Sequence, residues 1–475
     1  MTDVLTNVVD GRPQQAVSDD EWAVIDPATA ETVATYGISS PSDVDAAVRA
    51  ARRALPAWQR LAPSERARRL QELTALVPGS ADGFITREVR DTGKPVAGYR
   101  DEELPVILDA MSFFAASGRY LGAPAAGELI AGRTSFSRRE PVGVVAAITP
   151  WNFPLLQVVL KVVPALATGN TVVLKPAENT PSTAALLVEL AAHVLPPGVL
   201  NLVLGARETG AALVSHPGVD LVSFTGSVAA GRAISQLTSD RLTRLVLELG
   251  GNAPAVVFDD VDPRATAQAL VATALGNAGQ DCTASSRWLV HASVYEAAVA
   301  ECVSVVTDWR IGPPAEEKTQ LGPMISAGQR ERVERMLAGI PPRAQALVAG
   351  GRPDLPGFYL APSVVVGLEQ SDELIQQEIF GPVITIQPFA TEQEALALAN
   401  DTRYGLAASV WTNDLSRGLR CAQQLDFGSV WVNDHTLFSP DIPQGGFGDS
   451  GYGKENGLAG AEEFTRLKSV SVNLG

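Results

Sequence analysis

The chain has 475 residues, 46% of them hydrophobic and 19% charged, with a formal net charge of -16. That length suits roughly three domain-sized units, and the apolar share is ample for buried cores, which argues against a disordered chain. The acidic balance argues against nucleic acid and anionic membrane surfaces as partners.

In chain order, Met1 to Gln15 is polar and carries acids, unlike a signal or transit peptide. Helices are predicted over Ser42–Leu55, with Ser42 as its cap, and over Ser64–Leu76, with Pro56 and Pro63 punctuating the join. Arg133–Arg139 alternates in polarity and reads as a projecting hairpin. A βα series follows, with apolar strands at Val142–Ile148, Thr171–Leu174, Leu200–Gly205 and Leu221–Gly226, and a helix from Val228. The apolar run Leu155–Ala167 is broken by Gln157, Lys161 and Pro164, too short and too polar to span a bilayer, so a soluble protein is expected. Glu248–Gly251 reads as a strand end and hinge before a second series: strands at Ala255–Phe258, Ser286–Val290, Val383–Ile386 and Val430–Val432, with a helix over Pro263–Asn277. Short apolar strands alternating with helices predict parallel sheets covered on both faces. Ser469–Asn473 adds a last β-like edge, which with the hairpin predicts an edge covered by a partner subunit.

Three cysteines, Cys282, Cys302 and Cys421, are widely spaced, without a CxxC pair or a nearby histidine cluster. That argues against a disulfide framework or a zinc site and suits a reducing cytoplasm. Cys302 and Cys421 sit in apolar, helical surroundings and read as core thiols. Cys282 lies instead among Gly276, Asn277, Gly279 and Gln280, which have little packing value, and Thr283-Ala284 are expected to open a helix whose N-terminus would stabilise a thiolate. Glu248, a lone carboxylate among leucines followed by two glycines, is either a paired core charge or a catalytic group with room to move. Asn152, by itself, is a turn residue between two prolines, and Lys161 could snorkel to solvent.

Four runs, Thr149-Pro150-Trp151-Asn152-Phe153-Pro154, Leu247-Glu248-Leu249-Gly250-Gly251, Gly276 through Ala284, and Glu378-Ile379-Phe380-Gly381-Pro382, resemble the aldehyde dehydrogenase superfamily, in the same order across almost the whole chain. The resemblance implies an α/β fold: a Rossmann-like parallel-sheet cofactor domain (1–120 and 142–250), an α/β catalytic domain (251–450), and a small β oligomerisation or bridging element (121–141 and 451–475). It implies NAD-dependent oxidation of an aldehyde to the acid, and a cytoplasmic homo-oligomer, dimer or tetramer. Cys282 would be the nucleophile and Glu248 the base that hydrolyses its thioester. Asn152 would form an oxyanion hole with the backbone N–H of Cys282, supported by Lys161. For the cofactor it implies Ile148, Trp151, Leu249, Glu378 and Phe380, with pyrophosphate at Gly226-Ser227, a strand-to-helix turn in place of GxGxxG. Lys175 and Glu178 follow a strand end where ribose hydroxyls would lie, and a carboxylate there favours NAD over NADP.

Within the superfamily, the runs Asn277–Ala284, Arg100–Pro105 and Trp431–His435 look most like 4-aminobutyraldehyde dehydrogenases, which overlap with betaine aldehyde dehydrogenases. The acids Asp441, Asp281, Glu102 and Asp109 would suit a cationic tail, and Phe153, Trp431 and Phe438 are the implied pocket aromatics. Leu160 stands where betaine-type relatives tend to carry Trp, which weakens a trimethylammonium cage, and Gln444 where several have Phe or His. A primary ω-aminoaldehyde such as 4-aminobutanal is the reading that follows. The alternatives are a semialdehyde dehydrogenase that would use Arg100 or Arg287 for a substrate carboxylate, another aliphatic or betaine aldehyde dehydrogenase, a thiol hydrolase without redox chemistry, and a non-catalytic relative.

Overall fold

The computed structural model describes residues 2–123 and 125–475; Met1 and Pro124, which fall in the expected cofactor domain and bridging element, lie outside the described residues. Two sheets dominate. The first has eight strands, of which five run parallel in the order Arg244–Glu248, Leu221–Thr225, Val144–Ile148, Thr171–Lys175, Leu200–Leu202. Among these five, the chain starts in the middle at Val144–Ile148, builds outward on one side, then crosses to the other. That reversal of direction opens a crevice at the carboxyl ends of the central strands, where ligands bind in such sheets.

Alternation along the strands explains why both faces are covered. Val145, Ala147, Val172 and Leu174 enter one apolar core, and Val144, Ala146, Ile148 and Val173 the opposite one. The second sheet has seven strands; Ser363–Val366, Val383–Phe389, Arg287–His291, Pro254–Val257, Ala407–Trp411 and Ser429–Val432 are parallel in that spatial order. Ala255 and Val257 again face one core, Val256 and Phe258 the other.

The first predicted helix is longer than expected, Pro41–Arg60, and its cap is Ser40 rather than Ser42: Ser40 and Asp43 form a reciprocal capping box. Pro56 lies inside this helix instead of ending it. Beyond it Trp58 is buried and donates from Nε1 to Leu166 O at 3.0 Å, which holds the last turn in place. The next helix, Pro63–Leu76, starts on its proline as N1 positions favour.

The hairpin Ala126–Ile130 and Arg133–Pro141 is present, but its inner edge meets this chain's own terminus: Thr465–Asn473 pairs antiparallel with all of Arg133–Pro141. The two edges expected to need a partner subunit therefore cover each other, and the outer edges of this three-stranded sheet carry the exposed Leu129, Ile130, Leu467 and Val472. Among the described residues no helix is long and apolar enough to cross a membrane, and no cluster of His, Cys, Asp or Glu could hold a metal ion.

Candidate active site

The strands of the first sheet end where those of the second begin, and the implied catalytic runs lie in that seam. The predicted helix over Pro263–Asn277 stops at Leu275, because Asn277 and Ala278 take left-handed backbone angles, φ 49° and 54°. Such angles are strained for residues with a Cβ and concentrate at functional turns. Gly279 is required: its φ is +69°, and a Cβ would overlap Gly381 O. The helix expected to open at Thr283-Ala284 is absent. Asp281 Oδ1 instead accepts from Thr283 N and Thr283 Oγ1, each at 2.8 Å, closing a local turn before the strand Arg287–His291. Cys282 is half-buried and has no helix N-terminus to stabilise it. Burial, then the carboxylates of Asp281, Glu248, Glu378 and Glu455, push its thiol well above the usual range.

Glu248 is the last residue of its strand and is buried, with Oε1 lacking a hydrogen-bond partner among the described residues. Burial, then the charge of Glu455, hold it up to about 8 against the nearby Lys161 and Lys454. Its carboxyl therefore gains its charge just above neutrality. Lys161 does not snorkel: it is 0% exposed, ion-paired with Glu455, and donates to Thr225 Oγ1 at 2.6 Å. Asn152 is buried and donates from Nδ2 to Gln280 O at 3.0 Å, while its own carbonyl accepts from Asn277 Nδ2 at 2.9 Å. These bonds place its amide against the Cys282 turn and leave its second N–H uncommitted.

The crevice at the carboxyl ends of Val144–Ile148, Thr171–Lys175 and Leu221–Thr225 fits a dinucleotide. Ser227 caps the helix Val228–Thr238, its Oγ accepting from Ala230 N at 3.2 Å, so that helix start points its free N–H groups outward beside Gly226. Gly231 is needed for closeness, since a Cβ there would fall 2.7 Å from Leu249. Lys175 is buried, donates to Pro176 O at 3.0 Å, and lies 3.8 Å from the Glu178 carboxylate. Across the crevice Glu378 accepts from Gly251 N at 2.9 Å, and the Phe380 ring meets Trp151 edge-on at 5.3 Å. Gln329 and Arg332, which motif reading misses, donate to the carbonyls of Phe380 and Glu378 and fix that run. Phe380 needs such restraint, with φ at 55°.

The substrate candidates divide. Phe153, Trp431 and Phe438 are half-buried, and Trp431 packs with Cys282 against Ala253, Leu406 and Ala407. Asp281 adjoins Cys282. Asp441 is exposed; its Oδ2 accepts from Ser439 Oγ at 3.2 Å, and its backbone N–H donates to Ser439 Oγ at 3.3 Å; Glu102 and Asp109 are also exposed. Arg287 is buried and donates to Leu398 O and Ala399 O, and Arg100 pairs with Asp101 and Glu317 at the surface. Neither arginine stands ready for a substrate carboxylate. A buried group absent from the sequence reading borders the site: Lys94 Nζ lies 4.2 Å from the Phe153 ring centroid and 2.7 Å from Glu103, with Glu88 at 3.4 Å. Its only sequence signal is Gly93-Lys94-Pro95, a helix stop with Gly93 at φ +75°.

The sequence profile of the Aldehyde dehydrogenase family matches residues 14–470. A phenylacetaldehyde dehydrogenase of Pseudomonas fluorescens is 40% identical, the match covering 98% of this chain and 95% of the relative. The crystal structure of an NAD-dependent aldehyde dehydrogenase from Sinorhizobium meliloti superposes with a TM-score of 0.98 at 36% identity, covering 100% of this chain and 95% of that one. That of a Staphylococcus aureus betaine aldehyde dehydrogenase in complex with NAD+ gives 0.95 at 34% identity, covering 99% and 95%.

Proposed function

The chain belongs to the aldehyde dehydrogenase family and is an NAD-dependent oxidoreductase, and we propose that it converts an ω-aminoaldehyde such as 4-aminobutanal to the acid through a thioester on Cys282. One observation carries the reading: Cys282, Glu248, Asn152 and Glu378 converge in the seam between the two sheets. The Cys282 sulfur adds to the aldehyde carbon and its proton passes to a neighbouring carboxylate. The free N–H of Asn152 and the backbone N–H of Cys282 receive the oxyanion. Lys175, Glu178, Ser227 and Glu378 would hold NAD, which would supply the hydride acceptor for oxidation at the aldehyde carbon. Glu248 then takes a proton from water, whose oxygen attacks the thioester carbon. The acid leaves and the thiol of Cys282 is restored.

The aminoaldehyde reading rests on the acids beside the nucleophile. Asp281 and Glu103 both have raised pKa values, Glu103 to about 7, chiefly through burial. Lys94 is the cation that both acids share, so a substrate ammonium would complete their neutralisation. The half-buried aromatics and the 40% identity to a phenylacetaldehyde dehydrogenase favour a second reading, a neutral arylacetaldehyde. NADH formation from 4-aminobutanal, butanal, phenylacetaldehyde and succinic semialdehyde decides between them. The highest kcat/KM for 4-aminobutanal supports the first reading, for phenylacetaldehyde the second, and for succinic semialdehyde neither.

The same reading extends to organisation. The unpaired thiols suit a cytoplasmic enzyme. The exposed apolar residues of the three-stranded sheet suit a homo-oligomer, and the two large sheets and this small one support a division into cofactor (1–120 and 142–250), catalytic (251–450) and bridging (121–141 and 451–475) units, except that Gly451–Tyr452 pairs with Leu247–Glu248 in the first sheet.

A further inference from the structure

His435 has no part in the chemistry above, yet it is 4% exposed and touches the Cys282 turn. Its Nε2 is 2.7 Å from Thr283 O and its Nδ1 is 2.7 Å from Ser409 Oγ. Trp411 Nε1 donates to that same Ser409 Oγ at 3.0 Å. A carbonyl can only accept, so Thr283 O requires the proton of the neutral ring on Nε2. His435 Nδ1 is then an acceptor, and the Ser409 hydroxyl donates to it while its oxygen accepts from Trp411 Nε1.

We propose that His435 is a positioning residue: through the relay Trp411, Ser409, His435 it fixes the Thr283 carbonyl and with it the orientation of the Cys282 thiol. The inference rests on Cys282 as the nucleophile. The base of the relay is rigid. Ser409 is fully buried in the strand Ala407–Trp411, and Asn433, two residues before His435, exchanges hydrogen bonds with both the N–H and the C=O of Thr412, each at 2.8 Å. The Cys282 turn is already closed from within by Asp281, so the histidine restrains it from outside. His435 also packs on the Trp431 ring, 5.1 Å between centroids, so one residue sets both the nucleophile turn and a wall of the pocket. Burial keeps the imidazole neutral, as the tautomer demands.

The test compares His435→Phe, which keeps the ring volume, with His435→Gln, whose amide N–H can reach the place of Nε2. Two rates are read on the full-length protein: alkylation of Cys282 by iodoacetamide, followed by mass spectrometry, and the pre-steady-state NADH burst. The Phe variant is expected to lose about tenfold in both, the worth of one buried hydrogen bond, and the Gln variant to recover most of it. Wild-type rates in the Phe variant overturn the proposal, as does equal loss in Phe and Gln, which would mean packing alone. Should the Phe variant fail to fold, Ser409→Ala serves: it removes the hydroxyl that anchors His435 Nδ1 and should slow alkylation severalfold, and an unchanged rate overturns the proposal. Cys282→Ala run alongside separates the two readings, because activity surviving there sinks the nucleophile assignment itself.

Discussion

Glu378 accepts the backbone N–H of Gly251 at 2.9 Å, so a carboxylate that precedes one strand of the second sheet is held by the loop leaving the first. That loop has no spare room, since a Cβ on Gly250 would overlap the other carboxylate oxygen. Each sheet therefore places the other's half of the site. Burial holds Glu378 up to about 7, so the seam governs its charge as well as its position.

Gly250→Ala should leave the fold intact, because the atom it displaces is the end of a flexible side chain, and should push Glu378 out of the crevice. Loss of one charge-assisted hydrogen bond, roughly 1.5 kcal/mol, predicts about a tenfold weaker affinity for NAD. Fluorescence titration with the dinucleotide measures it, and undiminished affinity removes Glu378 from the cofactor site.

Cys282→Ala should abolish dehydrogenase turnover while NAD binding persists. Cys302→Ala should do the reverse: Cys302 is fully buried in the second core, so the cost is stability, about 1 kcal/mol, with activity per folded molecule retained. Denaturant melts and assays on both variants check the pair; turnover in the first would end the covalent scheme.

Glu248→Gln should give a burst of NADH and then stall, since the thioester forms without its water being activated. In the wild type, thioester hydrolysis should rise with pH through about 8, as the carboxyl ionises. The stability consequence has the opposite slope. The folded state keeps this proton from 4.5 up to about 8 while the unfolded chain has released it, so the group's contribution falls as pH rises across that window. The limit is about 1.4 kcal/mol per pH unit. Melting the wild type and the Gln variant in a pH series should show the variant gaining relative stability toward alkaline pH; parallel curves would mean that Glu248 titrates normally.

Asp281→Asn should lower kcat/KM for 4-aminobutanal about tenfold or more and hardly alter it for butanal, because asparagine keeps the turn-closing acceptor and loses only the charge. Asp441→Asn should change neither by more than about twofold, since an exposed acid contributes roughly 0–1 kcal/mol. If the two variants exchange these behaviours, the tail of the substrate reaches solvent at Asp441 and the buried acids are bystanders.

Much of this protein was readable without coordinates, for local reasons. Apolar strands alternating with helices require parallel sheets with both faces covered, and a thiol among glycines with a carboxylate before two glycines points to candidate reacting groups, because such small neighbours leave little apolar side chain to explain a core position. What lay beyond reach are properties of long-range contact. Lys161 and Glu455 are 294 residues apart and meet as a buried pair. His435 reaches Thr283 across 152 residues. The expected helix after Cys282 failed because the Asp281 side chain satisfies the local N–H groups first. The thiol's raised pKa could not be anticipated either, since it comes from burial and from carboxylates delivered by separate segments. The motif residues can be picked out from their local neighbours; their charge states depend on which distant segments the fold closes over them, and only tertiary structure decides that.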